Sequence, residues 1–62
     1  MTLQSYKEAV RNCLKKAVKT AYGVERNDYV GSKMKEYENE FPEFLEQNLS
    51  PEAAATAILM NY

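Results

Sequence analysis

Apolar residues recur along this chain at spacings of three and four, the period of an α-helix. Nowhere do they alternate cleanly in twos, as a half-buried strand requires. At about 100° per residue, Leu3, Tyr6, Val10, Cys13, Leu14, Ala17 and Ala21 fall in one arc, with Ala9 at its border. The run Ser5-Tyr6-Lys7-Glu8 has the form of a capping box, in which hydroxyl and carboxylate each satisfy the other residue's amide. A first helix is therefore expected over residues 5–22, closed by Gly23, which adopts the left-handed terminating conformation cheaply.

The segment Val24-Glu25-Arg26-Asn27-Asp28 reads as a turn into a second helix, with Asn27 or Asp28 as its N-cap. From there Val30, Met34, Tyr37 and Phe41 repeat at spacings of four, three and four, a helical stripe over residues 28–41. Gly31 weakens its early turns by about 1 kcal/mol. Pro42 has no amide to donate to the Glu38 carbonyl and pushes Phe41 away from helical geometry, so a break near Phe41 and a short helix over 42–48 are expected. Phe44, Leu45 and Asn48 nevertheless stay in phase with the preceding stripe, which is what a kinked, continuous helix would show. The last helix, residues 51–61, is announced by Ser50-Pro51-Glu52: a cap, a proline at the first helical position and an acid in the first turn. The expected fold is all-α, a small bundle of three helices, or four if Pro42 breaks the second.

With 62 residues the chain has room for one domain. A domain of this size buries only about 60% of its extended-chain surface, so a lone monomer is marginal. The single cysteine cannot form an internal disulfide, and without histidine a structural zinc site has too few ligands. Burial against a partner, or against a second copy, is the remaining source of stability. No run reaches the ~18 consecutive apolar residues of a membrane span, so a membrane is not an expected partner. The opening residues lack the apolar core of a secretory leader, which makes a reducing, cytoplasmic setting the expectation. The glycosylation-type triplet Asn48-Leu49-Ser50, followed at once by Pro51, then reads as a chance match.

The net charge of −1 hides a segregation. Residues 1–22 carry Lys7, Arg11, Lys15, Lys16 and Lys19 against Glu8, a net +4, and the remainder carries a net −5. Lys7, Arg11, Lys15 and Lys19 stand at i, i+4 spacing and could meet a nucleic-acid backbone, which asks only for positive charge at a suitable pitch. The plainer reading is a solvated face answered by the acidic half of the chain. A helix-turn-helix reading would make 51–61 the recognition helix, yet that segment has no basic residue. The acids Glu36, Glu38, Glu40, Glu43 and Glu46 lack the glycine-centred oxygen ligands of a calcium loop and read as solvated. Cys13 lies inside the apolar arc with no histidine to serve as its base, so no catalytic residue, cofactor or metal is expected.

Five tyrosines and two phenylalanines are a high aromatic content for this length. Tyr22, Tyr29 and Tyr62 fall off the stripes at element ends, where a tyrosine suits an interface. In the last helix Ala54, Ala55, Ile58, Leu59 and Tyr62 form one apolar row, and Ala53, Ala57 and Met60 form another on the far side. One row can face the core. Ala53, Ala57 and Met60, with Tyr62 at the chain's end, are therefore the expected interface. The chain reads as a non-enzymatic helical protein-interaction or regulatory module forming a homodimer, and the rival is a small nucleic-acid-associated protein using the basic row.

Overall fold

A computed structural model describes residues 2–60, and the chain forms four α-helices joined by short connections: α1 (Leu3–Tyr22), α2 (Asn27–Glu36), α3 (Phe41–Glu46) and α4 (Pro51–Met60). A 3₁₀ turn, Glu38–Glu40, links α2 to α3, and no strand occurs among the described residues. The fold is thus an all-α bundle of the four-helix form. Helix α1 is its spine: every other α-helix packs on it, α4 most extensively.

The face that α1 buries is the row Tyr6, Val10, Leu14 and Val18, all about 1% exposed or less. Val18 was missing from the arc drawn on the sequence, although it continues the same row. Cys13 and Ala17 lie half-buried at one margin, while Leu3 and Ala21, expected inside, are exposed. These two lie near the ends of a 20-residue helix, where the shorter neighbours give little cover. The start of α1 also differs from expectation. Thr2 is the N-cap, its hydroxyl accepting from the Ser5 amide at 3.1 Å, and Ser5 lies within the first turn of the helix. A threonine three residues earlier lets Leu3 and Gln4 join the helix, and the longer ladder prevails over the Ser5–Glu8 box. The other end is as expected: Gly23 is left-handed at φ 77° and donates to the Lys19 carbonyl at 2.7 Å.

Helix α2 begins at Asn27, with Arg26 rather than Asn27 or Asp28 at the cap position and no side-chain cap bond. The Arg26 guanidinium instead lies over two rings, 5.4 Å from the centre of Tyr22 and 5.6 Å from that of Tyr29. These cation–π contacts span the turn and hold the cap residue where a hydrogen bond would otherwise have done so. Val30, Met34, Tyr37 and Phe41 are all buried, as their spacing requires. Lys33 is buried beside them, its stem covered while its ammonium reaches Glu36 at 3.5 Å and lies 5.8 Å from the Tyr29 ring.

The break at Pro42 occurs, but earlier than expected. Helix α2 ends at Glu36, not Phe41, and Tyr37 leaves helical geometry at φ −101°, ψ 12°. Phe41, the residue expected to be displaced, is helical at φ −60°, ψ −41°. The chain accommodates the proline by tightening upstream, where the Glu40 amide donates to the Tyr37 carbonyl at 2.9 Å. Pro42 then lies in the first turn of α3, where an amide would have lacked a partner anyway. Phe41 is fully buried and meets Phe44 edge to face, with centroids 6.1 Å apart.

Helix α3 ends at Glu46, short of the expected 48. Asn48 is left-handed at φ 57° and donates to the Leu45 carbonyl at 3.1 Å, while the Leu49 amide donates to the Phe44 carbonyl at 3.0 Å. This pair of bonds is a Schellman motif with asparagine in the place glycine usually takes. It turns the chain so that Ser50 caps α4, its hydroxyl accepting from the Ala53 amide at 3.1 Å. Between the two devices the Leu49 carbonyl accepts from the buried Tyr6 hydroxyl at 2.8 Å.

Tyr6→Phe is therefore expected to lower the unfolding free energy by about 1–2 kcal/mol, since it leaves a partly buried carbonyl without its donor. Burial also pushes the Tyr6 phenol above the usual tyrosine range. The folded state then holds that proton more tightly than the unfolded chain does. This contribution is complete below the ordinary tyrosine value and is lost as pH rises through the folded one. Denaturant titrations between neutral and strongly alkaline pH should show a steeper alkaline loss in the parent than in Tyr6→Phe.

Candidate functional site

Helix α4 is the element whose surface asks for explanation. Of its ten residues only Glu52 and Thr56 have polar side chains. Ala54, Ala55 and Ile58 are buried against the rest of the bundle and Leu59 is partly covered, which places the inner row as the helical wheel does. On the outer side Ala53 and Met60 are exposed and Ala57 is half-buried. Met60, at 78% exposure, is the most exposed large apolar side chain described, ahead of Val24, Tyr22 and Leu3. Tyr62, the fourth residue assigned to this interface, lies outside the described residues, as does Asn61 at the end of the expected helix.

The basic row divides. Lys7 is half-buried and its ammonium lies 3.9 Å from Glu38, across from α1. With the lysine and glutamate side chains 34% and 62% exposed, such a pair contributes at most about 1 kcal/mol. Arg11, Lys15 and Lys19 are exposed, and none joins an ion pair among the described residues. Lys35 of α2 reaches the shallow groove that Lys7 and Arg11 also line, a second basic contribution the sequence did not reveal because it comes from another element. Glu38 lines the same groove and Glu8 borders its continuation, so acids are mixed into it.

The acidic residues do not assemble. Glu36, Glu40 and Glu43 would share a side only on an unbroken helix, and the helix is broken at Tyr37. Glu36 pairs with Lys33, Glu38 with Lys7, and the Glu43 carboxylate accepts from the Gln47 side-chain amide at 3.4 Å. Among the described residues no three acids or thiols converge as metal ligands would. Likewise, no described helix is long and apolar enough to cross a membrane.

Cys13 is half-buried rather than enclosed. Burial pushes its thiol above the ordinary range, the Glu52 carboxylate adds to that shift, and Lys16 opposes it. A raised thiol is a poor nucleophile at neutral pH, because the reactive species is the thiolate.

Two of the off-stripe tyrosines, Tyr22 and Tyr29, lie against cations. Tyr22 is 58% exposed beneath Arg26, and Tyr29 is half-buried between Arg26 and Lys33. Their role in closing the α1–α2 turn was invisible in a search for apolar stripes. No protein-family model, no curated protein and no solved structure matches the chain.

In native protein at neutral pH, Cys13 is expected to react with a thiol reagent several-fold more slowly than in denatured protein, with the rate rising toward alkaline pH. Cys13→Ala should retain the helical circular-dichroism spectrum. Labelling as fast in the native state as in denaturant would contradict this account of the thiol.

Proposed function

We propose that this chain is a non-enzymatic helical interaction module that works by binding protein, first of all a second copy of itself, through α4. The observation that carries the reading is that α4 is apolar around most of its circumference while the bundle covers only its inner side. A helix apolar all round belongs in a buried setting, and a second molecule can supply the cover that the described bundle leaves off its outer side. Met60 is an unbranched, adaptable contact residue, and alanines at 53 and 57 allow a close approach of another helix. A two-fold pair is the simplest closed arrangement for a surface that meets its own copy. The raised Cys13 thiol and the absence of histidine favour a binding role over nucleophilic or acid–base catalysis.

The nucleic-acid reading keeps one supporting observation, that Lys35 lines the same groove as Lys7 and Arg11 of the basic row. Glu38 and Glu8 in the same groove, and the overall charge of −1, weigh against it.

Mass in solution across roughly 5–500 µM tests the proposal, because association through a weak interface appears within such a range. The parent should shift from monomer to dimer, and Met60→Glu should remain largely monomeric. A parent that stays monomeric throughout would end the reading. The combined variant Arg11→Gln/Lys15→Gln should change stability by only about 0.5 kcal/mol or less and leave the dimer intact. Salt-sensitive retention of the parent on DNA or heparin, lost in that variant, would favour the nucleic-acid reading instead.

A further inference from the structure

Helices α1 and α4 run side by side in the same direction. Tyr6 meets Leu49 at one end, and Tyr22 and Leu59 border a common cleft at the other. Between these points the outward side of their seam is an open groove of about 650 Å³, floored by Ala17 and Ala21 of α1 and Ala55 of α4. Thr20 and Thr56 stand in its walls, but their hydroxyls are turned back onto their own helices, bonding the Lys16 carbonyl at 2.9 Å and the Glu52 carbonyl at 3.0 Å. The groove is thus apolar in effect as well as by composition. Cys13 opens into it, half-buried.

One charge of each sign marks the walls: Lys16 on the α1 side and Glu52 on the α4 side. Neither takes part in an ion pair among the described residues. A wall of each sign flanking an apolar floor is a self-complementary pattern. An isologous pair has its two-fold axis in the plane of contact. If that axis runs along the groove, each copy's α1 wall lies on the other's α4 wall, so Lys16 meets the partner's Glu52 twice over. If the axis runs across the groove, like walls meet and the charges repel.

We propose that this groove is a two-fold docking surface for a second copy of the chain, with the axis along the groove and two reciprocal Lys16–Glu52 pairs at its edges. This rests on the self-association reading and names the surface and register it uses. Met60 lies next round α4 from Thr56, about 40° further at helical pitch, so a copy seated here has Met60 at its edge. Cys13 is covered in the dimer.

The test is a charge swap read by sedimentation equilibrium. Lys16 and Glu52 are both exposed, so their substitution leaves the packed core untouched, which circular dichroism can check. Lys16→Glu and Glu52→Lys should each weaken dimerisation by about tenfold, because each turns two attractive pairs into repulsive ones. The double variant, with the charges exchanged, should recover dimerisation to within about threefold of the parent. Glu52→Lys also loses a favourable position in the first turn of α4, so the dimer constant and not thermal stability is the quantity to compare. As a second readout, labelling of Cys13 in the parent should slow as protein concentration rises.

A dimer that Met60→Glu disrupts, but that both charge reversals and the swap leave unchanged, would overturn the groove and leave self-association standing. Single reversals that weaken the dimer without recovery in the swap would overturn the reciprocal register. A parent monomeric throughout would overturn the self-association reading itself.

Discussion

The hydrogen bond from the Tyr6 hydroxyl to the Leu49 carbonyl is the interaction on which the arrangement of this bundle turns. It joins the first helix to the residue between the end of α3 and the cap of α4, across 43 positions of sequence. On one side of Leu49 the left-handed Asn48 ends α3, and on the other Ser50 starts α4. Moving that carbonyl would move both helices together. Because Tyr6 is 1% exposed, its hydroxyl needs a protein partner, and the backbone that supplies one is thereby fixed against α1. The buried row of α1 continues from this point through Val10, Leu14 and Val18, and α4 follows that helix in the same direction.

Features set by local backbone chemistry were legible in the sequence. Gly23 and Ser50-Pro51 act within a few residues of themselves, and both lie where their chemistry puts them. The stripe from Val30 to Phe41 is buried throughout, although the helix carrying it is interrupted. Side-chain phase survives a short 3₁₀ turn, which is why periodicity located the core there without locating the helix end. Where two local signals competed, the sequence reading chose the wrong one. It took Ser5 as the cap of α1, whereas Thr2, also a good cap, is the one that the chain uses. Asn48 stayed in phase with Phe44 and Leu45, and its ability to close a Schellman motif went unread because glycine is the usual signal. Arg26 and Lys33 were counted only as charges, whereas in the fold they lie over the rings of Tyr22 and Tyr29.

The candidate site divides along the same line. Two apolar rows on α4 follow from composition alone, since ten residues with two polar side chains cannot hide all their apolar surface against one neighbour. The row expected to face the core is the one that is buried, at Ala54, Ala55 and Ile58. The groove between α1 and α4 could not be read this way. It depends on which alanines of two separate helices come together, and on Lys16 and Glu52 lining the same groove. Charge segregation was visible in the sequence as a basic half and an acidic half. The structure resolves it further into single residues of opposite sign on one surface.

The central claim is that the stability of this small bundle is completed by cover over α4 that the single chain does not supply. Folding and association are then linked, and the midpoint of thermal unfolding must depend on protein concentration. Circular dichroism melts spanning about a hundredfold in concentration measure that dependence directly. The account expects the midpoint to rise steadily with concentration in the parent and to stay level in Met60→Glu. A parent midpoint independent of concentration would contradict it and leave α4 as an apolar face that the monomer simply tolerates.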